Sequence, residues 1–293
     1  MNLCRRKAGK EKIMGNNTMP KCQCPNCSNI GTHKYHVRRR GGNMAYLCDF
    51  HARYLESYST ENNYRLGGQK VNGFTYSIEC ETMRPEFQAR LELLLAGYIP
   101  TSDCTVDVEF KSPIYEGLNA VKAYLPSIQW MLDENLIVID ENCGTHFHVG
   151  HHDYINSKYM NYIRRFYHSL FVPLCEAIQE NDSKAIAIFG RGFGCWAEPI
   201  NRHSDEMEHT NFINVQHEYS LEFRRMFFAN AEQYSRGIDF CKAVTAKVIN
   251  GFCMKVESMG LYEGQWLTQD QIDELTKAAN KTARQIVKVF EKA

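Results

Sequence analysis

Between residues 70 and 230 the chain repeatedly alternates apolar side chains with ionisable ones. Ile78 and Cys80 alternate with Ser77, Glu79 and Glu81. Val106, Val108 and Phe110 alternate with Asp107 and Glu109, Phe147 and Val149 with His146 and His148, and Leu221 and Phe223 with Glu222 and Arg224. A strand sends successive side chains to opposite faces, so this period of two predicts four strands, each with an apolar and an ionisable face. An antiparallel sheet with one wet face gives the same alternation, and any single segment is equally well explained that way. The residue types set the four apart together. They are nearly all Glu, Asp, His and Arg, and like charges spaced i, i+2 repel unless a cation or salt partner compensates them. A sheet built from all four would present a trough suited to metal ions and a polyanionic ligand.

The remaining pattern alternates strands with helices. A strand over 73–82 leads to Pro85, which suits a first helical turn, and to a stripe of Phe87, Leu91, Leu94 and Leu95 closed by Gly97. A strand over 104–111 precedes a helix over about 117–134, which Pro126 kinks or splits. Strands are predicted at Leu136–Ile139 and 144–150, then a long helix at 157–180 and a glycine-rich loop, Gly190-Arg191-Gly192-Phe193-Gly194. Strands near 211–216 and 219–226 form a hairpin turning at His217-Glu218. Helices follow over about 230–258 and 269–291, the second opened by the capping-box pair Thr268 and Gln271. Hairpin-like pairs outnumber βαβ units, which predicts an α+β fold with a largely antiparallel sheet and helices packed on one face.

The amino-terminal part has a different grammar. Residues 1–19 are polar and weakly patterned, the composition of a disordered tail. Cys24-Pro-Asn-Cys27 is followed, twenty residues later, by Cys48-Asp-Phe-His51. Two such pairs bracketing a loop fit a tetrahedral Cys3His zinc site, and four protein ligands leave no open position, so the zinc would be structural. Cys22, His33 and His36 are alternatives for one ligand. The second pair would open a helix. The chain thus divides into a tail (1–19), a zinc-binding module (20–62) and a large domain (63–293) that carries the four alternating segments, with linker composition over 61–68.

Charge changes this picture little. Lysines plus arginines number 34, as do the acids, so no general nucleic-acid affinity is expected. The basic runs Arg5–Lys7 and Arg38–Arg40 read as a solvated tail and a loop tip. No apolar run approaches a membrane span and the amino terminus lacks a signal-peptide core, so a cytoplasmic location and no membrane partner are expected. In that reducing setting the cysteines are free or metal-bound, with Cys80, Cys175, Cys241 and Cys253 as buried small hydrophobes.

Four segments, in order, resemble the motifs of the putative amidoligase family, carboxylate–amine ligases related to glutamate–cysteine ligase. They are Ser77-Ile-Glu79-Cys-Glu81; Asp103-Cys-Thr105 with Glu109-Phe-Lys-Ser112-Pro113; Cys143-Gly-Thr-His146-Phe-His148; and Asn214 followed by Glu222-Phe-Arg224. Ser77 stands where glycine is usual, Thr105 for serine, and Ile114 where a second proline is common. The resemblance covers about residues 70–230 and leaves the cysteine cluster outside. It implies a glutamine synthetase/glutamate–cysteine ligase-like fold and ATP-dependent amide or isopeptide bond formation through an acyl phosphate. It also implies Mg²⁺ held by Glu79, Glu81, Glu109 and Glu222, with Asn214 as a further metal or phosphate contact. Arg224, and secondarily Arg191 and Arg202, would clamp phosphate. His146 and His148 would bind phosphate, orient a metal-bound carboxylate or relay a proton. The cofactors are then ATP, Mg²⁺ and structural Zn²⁺. The partners would be small-molecule or peptide carboxylate and amine substrates, or a protein substrate. Two other readings stand beside it: a metal-dependent hydrolase using the His146/His148 strand, and a non-catalytic zinc-containing interaction module.

Overall fold

The structure, a computed structural model, describes residues 20–25, 27–37, 43–56, 73–101, 106–192 and 211–293. The predicted tail, the linker and both basic runs lie outside these residues, as do Asp103–Thr105, Phe193, Gly194 and Arg202.

An α+β architecture is built on an antiparallel sheet. Its strands are β3 (Phe74–Thr82), β4 (Ile99–Thr101), β5 (Val108–Lys111), β6 (Thr145–His151), β7 (Ile213–Asn214) and β8 (Leu221–Phe223). They lie in the order β4-β5-β3-β6-β8-β7, with every neighbouring pair antiparallel. All four alternating segments therefore enter one sheet, and register stacks their ionisable residues. Glu81 faces Glu109, Glu79 lies between Lys111 and His146, and His148 and Asn214 flank Glu222.

The other face carries Ile78, Cys80, Val108, Phe110, Phe147, Val149, Leu221 and Phe223, all buried in the main core. Burying each large side chain there contributes about 1.5–3 kcal/mol, which fixes the register, since a one-residue slip would turn the trough into the core. Helices α2 (Phe87–Leu95), α3 (Leu118–Lys122), α4 (Leu125–Asp133), α5 (Ser157–Arg165), α6 (Tyr167–Glu180) and α7 (Asp182–Phe189) contribute to this core. So do α8 (Ala231–Val248), α9 (Met254–Ser258) and α10 (Gln269–Lys292). A π-helical turn, Ile249–Cys253, joins α8 to α9, and the predicted capping box opens α10.

Several expected elements are corrected. Leu136–Ile139 is not a strand: among the described residues it makes one isolated bridge, Val138 to Met83. The helix over 117–134 is split, one of the two outcomes expected of Pro126, which sits in the first turn of α4. The helix over 157–180 breaks at Phe166, and Arg164, near the end of α5, donates to the carbonyls of Val215, Gln216 and His217 at 2.7–3.0 Å. Strand β4 and helix α7 had no clear signal. β4 is three residues long, and α7 is an eight-residue helix between the expected long helix and the glycine-rich loop.

The amino-terminal module is a hairpin, β1 (His33–Val37) with β2 (Asn43–Leu47), followed by α1 (Asp49–Glu56). It shares a core with the large domain: Val37, Ala45, Leu47, Ala52 and Leu55 pack on Leu91, Leu94 and Leu95 of α2. Ala89 and Leu93 of the same helix face the main core. Phe87, assigned to the apolar stripe, is about half exposed, with its ring 5.7 Å from Tyr35.

Candidate functional site

The trough gathers Glu81, Glu109, His146, His148, Asn214, Glu222 and Arg224, all buried, and Glu79, which is partly open. Carboxylates out of water must be compensated, and here the compensation is visible pair by pair. The Lys111 ammonium bridges Glu79 at 3.2 Å and Glu109 at 3.1 Å. Thr101 donates to Glu109 at 2.9 Å, and the Gly144 N–H donates to Glu81. Glu222 is the most heavily tied: Arg224 donates to one oxygen at 2.7 Å, while Asn214 donates to the other at 2.6 Å and His217 lies 2.9 Å from it.

These contacts set the charges. Burial opposes ionisation of Glu79, but His148, His146 and Lys111 hold its carboxyl well below the usual range. Burial likewise opposes ionisation of Glu222, and the neighbouring imidazoles of His146 and His217 override it and hold its carboxyl well below the usual range. Glu109 goes the other way: burial and repulsion from Glu79 push it up to about 7. Burial disfavours the His146 cation, yet Glu222 and Glu79 raise its imidazole to about 9. His148 is raised too, by Glu79 against its burial.

Two carboxylate–imidazole clusters form within this field, one of Glu79, His146 and Glu222 and the other of Glu81, Glu109 and His146. His146 belongs to both. Its Nδ1 lies 3.1 Å from Glu222 and 3.6 Å from Glu79, and its Nε2 lies 3.8 Å from Glu81. His146 Nδ1 and His148 Nε2 are buried without a hydrogen-bond partner, each aimed at carboxylate oxygens. A buried ring nitrogen facing carboxylates off hydrogen-bonding geometry fits a place where a cation stands between them. The donor set, mostly carboxylate oxygen, suits a hard divalent ion.

Backbone demands explain the sequence around His146. A Cβ at position 144 would collide with the His146 ring, so only glycine lets this imidazole lie flat against the strand start. Arg191 donates to the carbonyls of Cys143 and Arg224 at 2.9 and 3.1 Å, bracing the ends of β6 and β8. Arg225, fully buried, holds the Arg191 carbonyl at 3.0 Å and Asp182 at 2.8 Å. Gly190 ends α7 with φ +85°, a left-handed cap that starts the glycine-rich loop as a turn.

The expected site residues of the sheet thus converge, with differences in detail. Asp107, paired with Glu109 by alternation, lies outside β5 and accepts from the Arg84 N–H at 2.8 Å. Three participants escaped the sequence reading. Lys111 was legible in principle, two residues from Glu109 on the same face. His217, assigned to a turn, meets the His148 ring edge-on at 5.2 Å. Ser220, 3.2 Å from His148 Nδ1, carries no sequence signal of its own.

The amino-terminal cluster also differs in membership. Cys22, Cys27, Cys48 and His51 bring three thiols and an imidazole within 4.8 Å of one another, a set that could hold a metal such as zinc. Cys22 occupies the place expected of Cys24. Cys24 lies beside the quartet, its thiol pushed up by burial and by Cys22. Burial keeps His51 neutral, and its backbone N–H lowers the Cys48 thiol against burial, both favourable to metal ligation. His33 is instead paired with Asp49 at 2.8 Å, and His36 is exposed. Among the described residues no helix is long and apolar enough to cross a membrane.

No family model matches the chain, and no curated protein matches it either.

Proposed function

We propose that this chain is an ATP- and Mg²⁺-dependent carboxylate–amine ligase with a glutamine synthetase/glutamate–cysteine ligase-like fold. The observation that carries the reading is the pair of carboxylate clusters sharing His146 on one face of an antiparallel sheet. Bound Mg²⁺ would supply charge neutralisation along a polyphosphate, letting an acceptor carboxylate take the γ-phosphoryl group before an amine displaces phosphate. Glu79 and Glu222 would hold one ion with His146, and Glu81 and Glu109 the other. Arg224 is held against Glu222 and would turn part of its planar fork to phosphate oxygens. Asn214 and His217 keep Glu222 ionised and oriented. His148, beside Glu79, would accept the proton that the amine loses on forming the new bond. Arg191 would serve chiefly by bracing Cys143 and Arg224. The zinc module, packed on α2, would be structural.

The hydrolase reading is less well supported. It needs both imidazoles on one soft ion, and among the described residues no cluster contains His146 and His148 together. The interaction-module reading predicts no nucleotide chemistry. ADP release during incubation with pooled carboxylates and amines separates all three. The ligase requires release that depends on Mg²⁺ and on both pools, whereas amide hydrolysis without nucleotide, or no turnover with any pool, would overturn it.

A further inference from the structure

On the helical side of the sheet, away from the trough, α2, α3 and α4 border a cleft of about 480 Å³. Its lining includes Glu92, Tyr115, Tyr124, Ala96, Ala120 and Ala123. Glu92 is 6% exposed, and its carboxylate accepts one hydrogen bond, from Gln88 at 3.2 Å. No cationic side chain among the described residues pairs with it. The trough carboxylates stand in contrast, since each lies beside a cationic side chain or the His146 imidazole. A cationic ligand would supply the counter-charge that no described side chain gives this carboxylate.

The walls indicate which cation. Two tyrosines line the same cleft as the acid, and aromatic faces attract organic ammonium groups. Both are fixed in place: the backbone of Tyr115 exchanges hydrogen bonds with Tyr76 at 2.8–2.9 Å. Tyr124 is hydrogen-bonded to the Glu92 carbonyl at 3.4 Å and packs on Tyr98 at 4.9 Å. The alanines keep the space open. A bare metal ion is a poor match, because Mg²⁺ and Ca²⁺ want several oxygen ligands and the cleft offers one carboxylate. The volume lies within the range of small-molecule sites, roughly 300–1,000 Å³.

We propose that this cleft binds a small organic ammonium compound, with Glu92 as counter-ion and the rings of Tyr115 and Tyr124 as walls. The sheet separates it from the trough, so it is a second site and does not present the amine for the proposed ligation.

Calorimetric titration of the full-length protein with tetramethylammonium and with ethylammonium chloride, against potassium chloride at equal ionic strength, tests this. At least one organic cation should bind saturably. Glu92→Gln should weaken it at least tenfold while folding like the wild type, because it keeps the shape of the side chain and removes only the counter-ion. Ala123→Leu, at the exposed mouth, should weaken it by filling the space, and Glu81→Gln should leave it unchanged. Absence of saturable binding to the wild type, equal binding of potassium, or undiminished binding by both Glu92→Gln and Ala123→Leu would overturn the proposal.

Discussion

Individual side chains in the trough are held in states that a cation would change. In the metal-free protein the raised pKa of His146, about 9, stabilises the fold fully below its ordinary value near 6.5 and loses that contribution as pH rises through 9. Glu109, raised to about 7, behaves in the same sense: its contribution is present below about 4.5 and lost through 7. Glu79 and Glu222, held low, add stability above the ordinary carboxylate range and lose it only in acid. Zinc-loaded, magnesium-free protein should therefore melt lower at pH 9 than at pH 6. Mg²⁺ should narrow that gap by taking the place of the protons, and a melting temperature that rises from pH 6 to 9 without Mg²⁺ would count against these assignments. Gly144→Ala, by forcing the His146 ring aside, should cost about 1–3 kcal/mol and weaken Mg²⁺ binding, read by calorimetry on folded protein. At the amino-terminal cluster, Cys22→Ser should lose bound zinc and Cys24→Ser should keep it, as metal content per chain will show.

Among the elements, α2 does the most unexpected work. Its stripe of Leu91, Leu94 and Leu95 was legible, but periodicity alone cannot say which neighbour a stripe meets, and here it meets the cysteine module and not the sheet. Leu94→Ala should cost about 2–5 kcal/mol and speed thiol labelling of Cys27 and Cys48 before global unfolding. A uniform loss of protection across the chain would argue against a shared interface. The strands of the site were legible because their alternation is strict and their apolar halves are fully buried. Leu136–Ile139 misled because four apolar residues in a row have no period, and they pair only at Val138. The break at Phe166 was hidden because no glycine or proline marks it.

For the whole molecule, the class of fold and the convergence of Glu79, Glu81, Glu109, His146, His148 and Glu222 were readable from the chain. Period-two patterning specifies faces, and one buried face specifies register. The partners that complete the site were not readable. His217 and Ser220 depend on how loops close, as does the choice of Cys22, one of three alternatives the spacing left open, over Cys24, and loop closure leaves little trace in hydrophobic pattern. The acidic floor is organised around His146, which joins two clusters, so the central claim is that this face binds Mg·ATP. Calorimetric titration of zinc-loaded, full-length protein with ATP, with and without Mg²⁺, tests it most directly. Saturable binding that requires Mg²⁺ and weakens at least tenfold in Glu222→Gln is the result predicted. No binding by the folded wild type, or binding indifferent to both Mg²⁺ and Glu222, would contradict it.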